Sequence, residues 1–231
     1  KQPKPKGPRL AIITNAGGPG VLATDALIGS GGELAGLSQE SMDALNHLLP
    51  RHWSRNNPID ILGDATPDRY VRAVEIAAKD PNNDGVLVIL APQAITDATR
   101  TAEQLRPLAR LDGKPILASW MGGTDVATGE SLLNRSNIPT FHYPDTAVRI
   151  FNYMWRYTYN LHGLYETPML PQSPELVRNH ALAEEMILRA RMANRTLLIE
   201  YESKQILEGY GIPVVDTRMA FDETDSVLAA E

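Results

Sequence analysis

The 231-residue sequence has no cysteine. That removes disulfides, iron–sulfur clusters, thiolate zinc sites and cysteine nucleophiles together. Positive charge is in deficit, with 22 Lys and Arg against 28 Asp and Glu, for a net charge of −6. A general nucleic-acid binder needs a basic face to displace phosphate counterions, and this chain has no surplus to build one. A small phosphorylated ligand is not excluded, because a few local groups suffice to hold it. Long apolar runs are also missing. The cleanest stretch, 85–91, falls far short of the ~20 residues that span a bilayer. The basic, proline-rich start at 1–8 has no apolar segment behind it, unlike a signal peptide. It reads as a linker, on which something is expected to precede it in a longer parent chain. The five histidines, His47, His52, His142, His162 and His180, lack metal-ligand spacing with one another or with acids. No nucleophile elbow appears. These absences predict a cytoplasmic protein with no membrane, nucleic-acid or metal partner in this stretch.

What is present is an ordinary globular balance, 43% hydrophobic and 22% charged, in a length that suits one or two domains. Short apolar runs alternate with helix-period stretches. Strands are predicted at 9–14, 33–35, 58–62, 85–90, 115–120 and 139–142. Helices are predicted at 19–30, from Ser38 to Pro50, and at 64–80, 96–111, 125–137 and 145–161. The run at 85–90, GVLVIL, is apolar at every position, as a strand buried on both faces requires. Such alternation predicts an α/β fold, a doubly wound parallel sheet with helices on both faces, over about 9–165. Phe151, Tyr153, Trp155, Tyr157 and Tyr159 recur every second residue on one predicted helix. Their rings therefore point around it, which suits a core plus a domain interface better than base stacking.

After this domain the character changes. Pro168, Pro171 and Pro174 mark a link, followed by a polar helix at 175–193. A helix at 200–210, a strand at 212–220 and a helix from 222 follow. So short a helix–strand–helix unit buries too little apolar surface to stand alone. The expected division is a linker at 1–8, the α/β domain at 9–165, a linker and helix at 166–195, and a truncated second domain at 196–231.

The most informative local feature is the loop Thr14-Asn15-Ala16-Gly17-Gly18-Pro19-Gly20. It joins a strand to a helix at the carboxyl end of the sheet, where open α/β folds place ligands. Glycine lets backbone approach a ligand, and Pro19 suits a first helical turn. The free N–H groups of that turn form an anion site. Glycine-rich turns of this kind also occur for packing alone, so both readings stand. The loop is not a Walker loop, having no Gly-Lys-Ser/Thr, and the spacing is not the dinucleotide fingerprint. Asp60, within the strand at 58–62, could face the same edge or only fix a turn, and Asp64 reads as a turn residue; the stretches around Gln93 and at Trp120-Met121-Gly122-Gly123-Thr124 follow later strands and could line that edge. Asp64 or Thr66 can cap the helix that Pro67 opens.

At these motifs the chain resembles a known family. "RLAIITNAGGPGVLATDAL" at 9–27 and "NNPIDILGDATPDRY" at 56–70 resemble ADP-forming (NDP-forming) acyl-CoA synthetases, also called acetate–CoA ligases. They also resemble the inactive-synthetase region of some bacterial protein lysine acetyltransferases. More distantly, they are similar to the C-terminal domain of the succinyl-CoA synthetase β subunit. The tail at 197–231 resembles the opening of the family's ATP-grasp domain. The resemblance implies a flavodoxin-like ligase domain in an enzyme that makes acyl-CoA from a carboxylic acid, CoA and ATP, giving ADP and phosphate, through a phosphohistidine. That histidine lies in a Ser-His-Thr-Gly-like motif absent here, so no catalytic residue is assigned to this chain. The role implied for Asn15, Ala16, Gly17, Gly18 and Gly20 is a helix N-terminus that holds the phosphohistidine and acyl phosphate, with Asp60, Asp64 and Gln93 supporting it. ATP with magnesium and CoA are implied as cofactors of the parent, none of them retained by this stretch. The implied partners are a CoA-binding domain, an ATP-grasp domain and a small carboxylic acid, with room for a homo-oligomer. The alternative implied by the second likeness is a regulatory ligand-binding region beside an acetyltransferase.

Overall fold

The uninterrupted apolar run Gly85–Leu90 forms a strand whose six residues are all buried. In a computed structural model that describes residues 2–110, 113–165 and 174–230, this strand lies near the centre of a six-stranded, all-parallel sheet. In chain order the elements are β1 (Arg9–Thr14), α1 (Gly17–Gly29), β2 (Glu33–Leu34), α2 (Gln39–Leu48), β3 (Ile59–Asp60), α3 (Pro67–Lys79), β4 (Gly85–Leu90), α4 (Ala98–Leu105), β5 (Ile116–Trp120), α5 (Ala127–Arg135), β6 (Thr140–Phe141) and α6 (Pro144–Tyr165). Short 3-10 turns at Arg106–Arg110 and Gly123–Val126 extend α4 and precede α5. The strand order is β2-β1-β4-β5-β6, with β3 also paired to β1. The doubly wound prediction holds.

The period-two alternation of the strands divides the core. Ala11, Ile13, Val86, Val88, Leu90, Ile116, Ala118 and Trp120 face the layer of α2 to α5. Leu10, Ile12, Leu87, Ile89 and Leu117 face α1 and α6. Each fully buried aliphatic side chain is worth roughly 1.5–3 kcal/mol relative to exposure, so both layers are held by the sheet. Capping fixes where the helices start. Ser38 accepts from the Ser41 N–H to open α2, Thr66 accepts from Arg69 to open α3 with Pro67 behind it, and Asp97 accepts from Arg100 to open α4.

Two short strands share one edge of β1. β2 pairs with Arg9 and Leu10, and β3 pairs with Ile13 and Thr14. Asn57 spans the gap between them. Its Oδ1 accepts the Ile12 N–H at 3.0 Å, and its Nδ2 donates to the carbonyls of Leu10 at 2.8 Å and Ala35 at 3.0 Å. The side chain thus replaces the missing rung of the ladder, and buried backbone groups must have such partners. The stretch before β1 is packed on this unit: Pro5 is buried, and Gln2 Oε1 accepts the Ile116 N–H at 2.8 Å.

The chain divides into two compact units, Lys1–Glu166 and Thr167–Glu231. The second holds α7 (Pro174–Met192), α8 (Glu200–Gly209) and α9 (Glu223–Ala230). Ala183, Met186 and Ala190 are buried at helical spacing on α7. The predicted strand at 212–220 is not formed: its residues have no ladder partner among the described residues. A β-prone sequence needs a neighbouring strand to become one. The proline-rich link at 167–173 lies outside the described residues.

Candidate functional site

The chain runs from β1 to β2 and β3 on one side and returns to β4 on the other. The carboxyl ends of β1 and β4 therefore form the switch point at which doubly wound sheets bind ligands. The glycine loop leaves β1 there. α1 starts at Gly17, two residues before Pro19, so both glycines of the Gly17-Gly18 pair lie inside the first turn.

The loop residues take different roles. Asn15 is buried, and its side-chain amide ties the switch point shut. Nδ2 donates to the Ala91 carbonyl at 2.8 Å, and Oδ1 accepts the Ala91 N–H at 2.9 Å. The Ala16 N–H is taken by Thr14 Oγ1 at 3.0 Å, and that hydroxyl donates to the Ala16 carbonyl at 2.7 Å. Gly20 is a packing glycine: a β-carbon there would stand 3.0 Å from Thr14 Cγ2 and 3.5 Å from Pro58 Cβ. At Gly18 a β-carbon would meet nothing within 4 Å.

Two donors remain. The Gly17 and Gly18 N–H groups belong to the first turn and have no i−4 carbonyl, and Pro19 has no N–H. The N-cap residue, Ala16, has no side chain with which to cap them. The starts of α2, α3 and α4 are each closed by a Ser, Thr or Asp side chain. The start of α1 is open, glycine-lined and at the positive end of the helix dipole.

Asp60 adjoins this opening. Its Oδ2 lies 3.6 Å from where a Gly17 β-carbon would be, and its Oδ1 accepts the Leu62 N–H at 2.9 Å. No Lys or Arg pairs with it among the described residues. Beneath it Tyr70 is fully buried and donates its hydroxyl to the Ile89 carbonyl at 3.2 Å. Burial first, and the Asp60 charge second, push the Tyr70 hydroxyl well above its ordinary value, so it stays a donor. Gln93 reaches the same edge, with its Cγ 3.7 Å from the β-carbon position of Gly63, which also lies 3.9 Å from the Asn15 carbonyl. Asp64 points elsewhere. It pairs with Arg69 Nη1 at 2.6 Å, and that hydrogen bond holds its carboxyl below the usual value.

The structure thus gathers Asn15, Gly17, Gly18, Asp60, Gly63 and Gln93, and leaves Asp64 outside. The sequence reading gave no site role to Asn57, Gly63 and Tyr70, and it placed Thr14 in the loop without assigning its hydroxyl a part. Asn57 and Tyr70 act through contacts distant in sequence, which no local pattern marks.

The site is thus an uncapped helix N-terminus at the switch point of a doubly wound parallel sheet. The chain belongs to the Ligase-CoA domain family, whose model matches residues 10–163. It is 35% identical over 209 residues to acetate–CoA ligase [ADP-forming] I of Archaeoglobus fulgidus, covering 90% of this chain and 29% of that protein. It is 27% identical to 4-hydroxybutyrate–CoA ligase [ADP-forming] of Nitrosopumilus maritimus, covering 100% of this chain and 32% of that one. The apo acetyl-coenzyme A synthetase 1 of Ca. Korarchaeum cryptofilum superposes with a TM-score of 0.68 at 27% identity, over 73% of this chain and 37% of that one. The chain spans about a third of the length of these relatives. They are named as ligases or synthetases and lend no support to the regulatory reading.

Proposed function

We propose that this chain is the phosphoryl-holding domain of an ADP-forming acid–CoA ligase, which joins a carboxylic acid to CoA with ATP through a phosphohistidine. The observation that carries this is the uncapped start of α1, where two glycine N–H groups stand open at the switch point. In this reading Gly17 and Gly18 donate to the phosphoryl oxygens of the phosphohistidine and then of the acyl phosphate. Donors fixed in advance stabilise the charge that develops during transfer. Asn15 and Gly20 keep the loop in shape rather than touching the ligand. The P–N bond breaks as the P–O bond to the acid forms, and the ring nitrogen keeps the electron pair.

The Asp60 carboxylate opposes a bare anion at this place. A phosphoryl group that arrives on a protonated imidazole brings a ring N–H that can donate to Asp60, so the arrangement favours that carried group over free phosphate. ATP and CoA belong to other parts of the enzyme in this reading. No cluster of three His, Cys, Asp or Glu side chains that could hold a metal ion occurs among the described residues. The helix α8 and the residues after it are read as the opening of an ATP-grasp domain.

α1 is apolar on both faces, burying Gly20, Ala23 and Leu27 and exposing Val21, Leu22 and Ile28. A helix apolar all round is normally covered all round, and another domain or subunit is the proposed cover. A relative in Pyrococcus furiosus, matched over 62% of this chain, is named as an alpha subunit. No helix among the described residues is long and apolar enough to cross a membrane, and a cytoplasmic location is proposed.

The test is to incubate the full-length ligase with γ-labelled ATP and look for acid-labile phosphohistidine, with ADP release that depends on acid and CoA. Absence of label with every acid tried would sink this reading.

A further inference from the structure

We infer that a cavity at the amino edge of the sheet is a binding site for a hydrophobic carboxylate. The cavity has a volume of about 700 Å³ and lies between the segment leading into β1 and the second half of α6. This is the edge opposite the glycine loop, because Pro8 precedes the first residue of β1.

The lining states what the occupant must bring. Pro8, Trp155, Tyr159 and Leu164 give it apolar walls. The Trp155 and Tyr159 rings meet edge to face, with centroids 5.9 Å apart and planes at 70°, a geometry that offers a flat apolar body a wall and a floor. The Trp155 indole N–H is buried and has no acceptor. Lys6 and His162 also line the cavity, and none of its lining residues is acidic. That local bias is opposite to the net charge of −6 on the whole chain. An apolar body and a negative charge together describe an aryl or alkyl carboxylate. The volume lies within the range of small-molecule sites.

The wall carrying Lys6 is held in place. Pro5 is buried, and the Lys4 ammonium lies 5.2 Å from the centre of the Tyr157 ring. The cavity is therefore largely formed before a ligand arrives.

The test uses the ¹⁵N-labelled chain and phenylacetate as the probe. The chain has three tryptophans, giving three indole N–H resonances. Trp53 and Trp120 are buried at 4% and 0% exposure and do not line the cavity. Because the Trp155 ring lines the cavity, phenylacetate is expected to move its indole resonance in a saturable way and leave the other two in place. Trp155→Phe assigns the peak. Lys6→Ala, at an exposed position, is expected to weaken binding at least about tenfold, as is replacement of the probe by neutral phenylacetamide, since a charge-assisted hydrogen bond is worth ~1.5–3 kcal/mol. A Trp155 resonance that stays fixed up to roughly 10 mM phenylacetate, beyond the weak end of measurable affinity, overturns the inference. So does equal binding of the acid and the amide, or a Lys6→Ala chain that binds as well as the parent.

Discussion

The glycines of the α1 loop are predicted to separate into one that serves the fold and one that serves the ligand. Gly20→Ala places a methyl 3.0 Å from Thr14 Cγ2 and 3.5 Å from Pro58 Cβ. Neither neighbour is the free end of a flexible side chain, because one is a strand residue and the other a proline ring. Overpacking of this kind costs ~1–3 kcal/mol, against a helix-propensity gain of up to ~1 kcal/mol. The net expectation is a loss of about 1 kcal/mol. Gly18→Ala meets nothing within 4 Å, so it keeps only the favourable terms and is expected to gain ~0.4–1 kcal/mol. Urea denaturation monitored by circular dichroism separates the two, provided the slope stays constant and only the midpoint moves. In the full-length protein, Gly18→Val is expected to fold normally and to lose the proposed ligase turnover, because a branched side chain crowds the two open N–H groups. Equal stability losses at both positions, or normal turnover in a folded Gly18→Val enzyme, would refute the division.

Other expectations rest on the same contacts. Asp60→Asn removes the charge beside Gly17 and should tighten inorganic phosphate about fivefold, on the order of 1 kcal/mol at this range and effective dielectric, while lowering phosphoryl transfer in the full-length enzyme; weaker phosphate binding in the variant would contradict it. Asn57→Ala strands the Ile12 N–H and takes the Asn57 donor from the Ala35 carbonyl, while the Leu10 carbonyl keeps the Ala35 N–H at 3.0 Å, and should cost about 2 kcal/mol by urea titration, whereas a loss under ~0.5 kcal/mol would show that water replaces the rung. The hydrogen bond from Arg195, followed by that from the Ile199 N–H, holds the Glu202 carboxyl down to about 2. Its support of the start of α8 is therefore complete above the ordinary value of 4.5 and is lost as pH falls towards about 2; the protection of the amides at 199–203, referred to the intrinsic exchange rate at each pH, should fall across that window, and protection that stays constant through it would remove the pair from the account.

Much of the fold could be read locally. The run at Gly85–Leu90 was legible because a strand buried on both faces has one composition available to it. Ser38 and Thr66-Pro67 announced their helices because capping is a matter of adjacent residues. The strand at 212–220 failed for the opposite reason: β structure requires a partner, and none is present among the described residues. α1 begins two residues earlier than Pro19 suggests, because packing of Gly20, Ala23 and Leu27 against the sheet carries two poor helix formers into the first turn. In the site, the glycine loop and its edge were visible from sequence. The division of labour within it was not. It depends on Thr14 taking the Ala16 N–H, on Asn15 reaching Ala91, 76 positions away, and on Pro58 standing over Gly20. Asp64 turned outward because Arg69, five residues on, lies within 2.6 Å of it.

The most direct test of the central claim is an amide titration of the ¹⁵N-labelled chain with acetyl phosphate. The account predicts that the Gly17 and Gly18 N–H resonances move together and saturate, while those at the capped starts of α2, α3 and α4 stay fixed. Movement at the capped helices with Gly17 and Gly18 unchanged would contradict it.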